Sequence, residues 1–341
     1  MKKVAAFLLV IVLTGGVACY IFYRAFYYPS IRFHEKSRLI YIHTDWNYPQ
    51  VRDMLVQKGI VSSPEFFDLI ARIKNYSNHI KPGRYRVMNH TSNLQLVNLL
   101  LSGRQEPETV SLYNIRTIKE LKDILGLKLE SDSAIIASSF SDKNLKQYGF
   151  TNENALAMFL PGTYPLLWTD TPDAFLKSMH TIYENFWSPE RRKKAAAMQL
   201  TPLQVSVLAS IVQAEQSQYD GEKSIIAGLY LNRLKKDMPL QSDPTLIYAR
   251  GDFSILRVLD GDKRINSPYN TYLHTGLPPG PIDMPSVSSL DATLNYNKND
   301  YLYMCAENDF SGRHHFSTSL KEQEQYATRY RKALNQRQIV R

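Results

Sequence analysis

Cysteine is the scarcest chemical resource of this chain, at two in 341 residues. Cys19 lies in an apolar run and Cys305 in an expected strand, so no disulfide framework is available and no Cys-x-x-Cys pair offers zinc or redox chemistry. His-Glu-x-x-His, the Walker loop and the Gly-x-Ser-x-Gly nucleophile elbow are equally missing from the sequence. His314 and His315 are neighbours on an expected strand, point to opposite faces and are poorly placed to share a metal ion. The expectation is therefore no cofactor and no metal. Low-complexity tracts are absent too. The net charge of +9 suits anionic lipid headgroups or an acidic wall polymer. Without a zinc-finger or helix-turn-helix pattern it does not point to nucleic acid.

What is present begins with a long apolar run. Residues 4–23 follow Met1-Lys2-Lys3, carry no charge and are long enough to cross a bilayer as a helix. The sequence GGVAC offers a poor cleavage site and lacks the leucine of a lipoprotein signal, so an uncleaved signal-anchor is expected, with lipidation of Cys19 the minor alternative. Lys2 and Lys3 before the run and Arg24, Arg32, Lys36 and Arg38 after it leave loop-charge counting undecided. A long folded segment after a signal-like run is generally translocated whatever its charge. The expected location is thus the inner (cytoplasmic) membrane, spanned once, with the folded part on the extracytoplasmic side.

The rest reads as α+β. Residues 39–72 and 108–140 share one order: an alternating strand, a polar turn, an amphipathic helix and a second helix capped after SSPE or SDSA. Between them a Pro82-Gly83 turn enters a short strand, and a helix closes at Gly103. Beyond about 151, helices are expected at 171–187, 201–219 and 222–237. A loop-rich stretch follows, then a pair of strands in YLYMCAE and HHFSTS, and a charged terminal helix. Expected domains are 1–29 (short tail and membrane helix), 30–105 (a small α+β module) and 106–341, whose first part, 106–150, is an echo of that module or a linker. The last region should have a helical core and a loop-rich cleft, because long loops in compact domains are commonly binding surfaces.

Glu215 is the chemical focus. Thr201-Pro202-Leu203-Gln204 reads as a capping box with proline at the first helical position. In the helix it starts, Leu208 and Ile211 flank Glu215, while Ser206, Ser210, Gln213 and Ser217 form an opposite polar side. An inward glutamate either pairs with an arginine or, unpaired, has its pKa raised toward the range of a general acid. Asn232 and Arg233 sit beside the stripe Ile225, Ile226 and Leu229 of the next helix and face the same interior; Arg233 is a candidate ion-pair partner of Glu215 or Asp243. LQSDPTLIYA presents Gln241, Asp243 and Thr245 from a rigid turn. Ser267-Pro-Tyr-Asn-Thr-Tyr272 and TGLPPGPI are stiff loops whose amides and tyrosines suit a sugar groove.

The strings LASIVQAE, NRL, MPLQSDPTLIY, SPYNTY, GLPPGPI and HHFS, in this order, resemble the endolytic murein transglycosylase, or YceG-like, family. The likeness covers nearly the whole chain, including a LysM-like module with the Pro82-Gly83-Arg84-Tyr85 turn at 30–105. It implies a lytic transglycosylase acting on peptidoglycan glycan strands, with Glu215 as the catalytic residue and 1,6-anhydro ends as product, anchored in the cytoplasmic membrane by residues 4–23 beside peptidoglycan synthases. Gln241, Asp243, Asn270, Tyr272, Asn232 and Arg233 are the expected substrate-binding residues, with Tyr248 and His315 weaker candidates. Leu156 and Gly162 stand where many members carry acidic residues, as does Gln213, whose place on the polar side should make its change unimportant. Two other functions fit the residues: a hydrolase using Glu215 with Asp243, and a non-catalytic wall-binding scaffold.

Overall fold

The computed structural model describes residues 2–255 and 257–337. The backbone clusters into two compact units, 1–109 with 128–131 and 165–171, and 110–127 with 132–164 and 172–341.

The first unit starts with α1 (Lys2–Phe26). From Lys3 to Phe26 this helix is long and apolar enough to cross a membrane, and its apolar side chains are exposed from Val4 to Tyr23. Then follow β1 (Ser37–Ile42), α2 (Tyr48–Gln57), α3 (Pro64–Ile73), β2 (Gly83–Met88) and α4 (Asn93–Ser102). β1 and β2 pair antiparallel from Ser37 opposite Met88 to Ile42 opposite Gly83. The period of two sends Ile40, Ile42, Tyr85 and Val87 into a core with Leu55, Phe67, Ile70 and Leu96. α2 and α4 each open on a full capping box, Asn47 with Gln50 and Ser92 with Gln95, a device worth roughly 1 kcal/mol at a helix start. At Gly83, φ is +150° and any Cβ would collide with Gln105, so the Pro-Gly entry to β2 needs glycine.

The second unit contains most of β3 (Glu108–Leu112), α5 (Ile118–Gly126), α6 (Ser133–Ser139), α7 (Asp142–Leu145), most of β4 (Gly162–Leu166), α8 (Pro172–Phe186) and α9 (Pro189–Ala197). It continues with α10 (Pro202–Glu215), α11 (Asp220–Lys235), α12 (Asp243–Arg250), α13 (Val287–Leu294), β5 (Tyr303–Ala306), β6 (His314–Ser317) and α14 (Leu320–Gln336). β3 pairs with β4 and β5 with β6, each pair a separate two-stranded sheet. The first unit thus runs strand, two helices, strand; in the second, the one-turn α7 follows the two helices before β4, which sequence periodicity did not mark, pairs back on β3.

α10 differs from its expected form in two ways. It has no polar side: Ser206 and Ser210 are as buried as Leu208 and Ile211, because α9, α11, α12 and α13 pack around it. A helix covered all round tolerates a serine whose hydroxyl bonds its own backbone, and the Ser210 hydroxyl donates to Val207 O while accepting from Ile282 N. The helix also stops at Glu215 instead of 219. Gln216 turns extended and its side chain holds the turn, accepting from Gln218 N and Tyr219 N and donating to Glu222 and Gly312 O. Glu215 is thus the last residue of α10.

Candidate active site

The cleft around Glu215 lies in the second unit and has a volume of about 470 Å³. α10 supplies its floor at Glu215, α11 supplies Tyr230 and Arg233, the turn into α12 supplies Gln241 and Asp243, and Tyr272 and Tyr303 form aromatic walls.

Oε1 of Glu215 accepts two hydrogen bonds, from the Ser242 hydroxyl at 2.5 Å and from the Tyr230 hydroxyl at 2.7 Å. Among the described residues Oε2 has no hydrogen-bond partner. The residue keeps some exposed surface at the cleft, but its carboxyl group is closely packed, and that burial pushes its pKa above the ordinary carboxylate value. The Ser242 and Tyr230 bonds pull the pKa down, the nearby Asp243 charge pushes it up, and His314 pulls it down. Burial wins, since a desolvated carboxylate loses more than two neutral donors return. The position at the carbonyl end of α10 opposes negative charge as well.

Tyr230 and Ser242 were not among the residues read from the sequence. Tyr230 is four residues after Ile226 and three before Arg233, so extending the buried stripe of α11 would have found it. Ser242 stands between Gln241 and Asp243 and carried no separate signal. It is fully buried, its amide bonds Thr271 Oγ1 at 3.0 Å, and its carbonyl accepts from Thr245. These contacts lock the serine in place.

Of the expected substrate residues, Gln241, Asp243, Tyr272 and Arg233 share this cleft with Glu215. Gln241 adopts φ of +54°, left-handed backbone that glutamine seldom visits. Its amide bonds Thr271 O and its side chain accepts from Arg233, so both ends of the strained residue are tied. Asp243 accepts from the Tyr272 hydroxyl at 2.6 Å. Its surroundings push its pKa upward, with desolvation the largest cause and Tyr272 and Lys263 opposing. The residue is exposed by surface area, so solvent screening discounts that push.

The expectation of an Arg233 ion pair fails. Its guanidinium donates to Leu302 O, Pro239 O, Leu240 O and Gln241 Oε1, fastening the 239–241 turn and the residue before β5 to α11 without pairing with Glu215 or Asp243. Asn232 and Asn270 are absent from the cleft lining. The Asn232 side-chain amide donates to Asn299 and to Tyr301 O. Asn270 is completely buried, donates to Lys263 O and Ile265 O, and accepts from Tyr272 N. Both are loop braces: asparagines inside satisfy backbone groups that loops leave unpaired. Tyr248 packs on Tyr269 at 4.7 Å and His315 stacks on Tyr326 at 3.4 Å, both off the cleft lining. The other histidine, His314, lines the cleft and meets Glu222 at 3.0 Å.

Gln213 also departs from expectation. Its side chain donates to Asp283 and Met284 O, and accepts from Ser286 N and the Ser289 hydroxyl. This joins α10 to the segment after GLPPGPI. Gly280 in that loop lies so close to the Glu153 backbone that no Cβ would fit. Leu156 is a buried core residue and Gly162 opens β4.

A sequence model of the YceG-like family matches residues 40–329. An endolytic murein transglycosylase of Bacillus subtilis is 37% identical over 182 residues, covering 52% of this chain and 48% of that protein. One of Streptococcus pneumoniae serotype 2 is 27% identical over 295 residues, 76% of this chain and 52% of that protein. The chain spans about half the length of the curated relatives it matches. The crystal structure of a YceG-like protein from Listeria monocytogenes has the same fold, with a TM-score of 0.56 over 85% of this chain and 98% of that one, at 23% identity.

Proposed function

The chain belongs to the YceG-like family, and from this we propose that it is a membrane-anchored endolytic lytic transglycosylase of peptidoglycan, with Glu215 as its single acid and base. The observation that carries this reading is the asymmetry of the Glu215 carboxyl group. Two hydroxyls hold Oε1, while Oε2 is left to carry the proton in a cleft of tyrosines and amides.

The chemistry needs one carboxyl group used twice. Oε2–H protonates the oxygen bridging N-acetylmuramic acid to N-acetylglucosamine, and the bond from the muramoyl anomeric carbon to that oxygen breaks. The leaving oxygen keeps the proton as a hydroxyl. Ser242 and Tyr230 stabilise the carboxylate just formed, which then takes the proton of the muramoyl 6-hydroxyl as that oxygen bonds to the anomeric carbon. A 1,6-anhydro ring results and no water is consumed. A raised pKa serves the acid step, and a water-poor surround serves the base step. Gln241, Asp243, Tyr272 and Arg233 shape and contact the groove, and Asn232 and Asn270 hold its loops. The mechanism calls on no cofactor.

Domain assignments 1–29, 30–105 and 106–341 belong to the same proposal. The strand-helix-helix-strand order of β1, α2, α3 and β2 supports a LysM-like module at 30–105, and the apolar α1 supports a single-pass anchor in the inner membrane. Tethering would concentrate the enzyme at strands emerging from peptidoglycan synthases, so that cleavage there ends elongation. Mass spectrometry of digested peptidoglycan tests the activity. Anhydromuramic ends are expected, reducing ends would favour the hydrolase using Asp243, and glycan retention without cleavage would favour a scaffold.

A further inference from the structure

On the far side of α10 from Glu215 lies a second cleft of about 440 Å³, lined among others by Gln213, Asp283, Arg116, Lys223 and Ser288. Gln213 and Glu215 are two residues apart and so about 200° apart around the helix. The two clefts are neighbours across one helix end, joined by the turn after Glu215 that contributes Ser217 and Asp220.

Asp283 is the unusual residue. Its backbone is pinned on both sides, by Ile282 N to Ser210 Oγ at 3.0 Å and by Met284 N to Ile115 O at 2.8 Å. Oδ2 accepts from Gln213 Nε2 at 3.2 Å. Oδ1 is buried and, among the described residues, has no hydrogen-bond partner. A buried acceptor held rigidly without a donor is uncommon and calls for an explanation such as a ligand. Cations stand near it without pairing to it: Lys223 is bonded to Asp220 at 2.7 Å, and Arg116 lies over the Phe253 ring at 4.8 Å.

We propose that this cleft is a peptide subsite, in which Asp283 Oδ1 accepts the side-chain ammonium of the diamino acid in a peptidoglycan stem, and Arg116 and Lys223 face the stem's carboxylates. The identity of the ligand rests on the glycan reading of the Glu215 cleft. The dimensions agree: α10 is about 10 Å across with its side chains, and a stem of about five residues spans on the order of 15 Å. A stem hanging from a muramoyl unit in the first cleft reaches the second. Burial pushes the Asp283 carboxyl up to about 7, against the pull of Gln213, Arg116 and Lys223. An arriving ammonium supplies the charge that the ionised form lacks.

The test is calorimetric binding of two soluble stem tetrapeptides to the full detergent-solubilised chain, one with a free lysine side-chain amine and one acetylated there. Wild type should bind the free amine on the order of tenfold more tightly, and Asp283→Asn, close in shape, should bind the two alike. Equal binding by wild type overturns the subsite, whether or not the variant folds, and so does a preference that survives in Asp283→Asn. Cleavage assays are separate: a protein that discriminates the peptides but releases no anhydro ends refutes the glycan chemistry and leaves the ammonium site standing. One that cleaves but does not discriminate does the reverse.

Discussion

The Ser242 hydroxyl sits 2.5 Å from Oε1 of Glu215, bringing the residue that precedes α12 onto the last residue of α10. With the Tyr230 hydroxyl on the same oxygen, the two bonds stabilise the ionised form, which the acid step produces. Removing either should slow cleavage by about 10- to 100-fold, the order of a lost charge-assisted bond. In Ser242→Ala and Tyr230→Phe the carboxylate is less stable, so its pKa rises further, and the loss of activity with rising pH should begin at higher pH than in wild type. Measured pH–rate profiles check this; a limb unmoved in both variants would mean that these hydroxyls do not act on Glu215.

Asp283 gives a stability prediction with a definite sign. Its pKa is raised by burial to about 7 from an ordinary 3.8, so the folded state binds more protons than the unfolded state between those values. Stability that Asp283 lends at low pH is therefore lost as pH climbs from about 4 to about 7. Asp283→Asn should gain on wild type across that window, its Tm advantage larger at about pH 8 than at about pH 4. Parallel curves would show that the side chain is not desolvated.

Gln213→Ala should destabilise the protein by about 1–3 kcal/mol, because four groups of the 283–289 segment lose their partner on α10. Denaturant unfolding measures it. A change below about 0.5 kcal/mol would fit a glutamine on a solvated side.

Asn270→Ala and Tyr272→Phe should separate a brace from a wall. Asn270 is fully buried with three backbone partners, so its loss should lower stability by about 2–3 kcal/mol. Tyr272 is at the cleft with its hydroxyl on Asp243, and Tyr272→Phe should raise KM with little change in unfolding. An Asn270→Ala protein of wild-type stability with raised KM would reverse these roles.

The inward direction of Glu215 was legible because helical period needs only local sequence. Its place as the last residue of α10 was not, since Gln216-Ser217 carries no glycine stop and the turn is held by the Gln216 side chain, bonded to Glu222 six residues on and to Gly312 far along the chain. The polar side assigned to Ser206 and Ser210 vanished for the same reason: four helices cover α10, and no local pattern announces them. Tyr230 was within reach of the period that located Arg233, whereas Ser242 became visible only through its bonds to Thr271 and Glu215. Asn232 was read as facing the interior and Asn270 as a groove contact; the partners of Asn232 lie far along the chain, at 299 and 301, whereas Asn270 is taken up by backbone groups of its own loop, at 263, 265 and 272. The strand order of the first unit was mostly local and was read, while β4 depends on pairing with β3.

The most direct measurement of a single carboxyl group serving twice is mass spectrometry of the glycan ends formed when the wild-type protein digests peptidoglycan in heavy-oxygen water, with Glu215→Gln in parallel. Anhydromuramic ends without heavy oxygen are expected from wild type, and none from the variant. Reducing muramic ends carrying heavy oxygen, or anhydro ends released at the wild-type rate by Glu215→Gln, would contradict it.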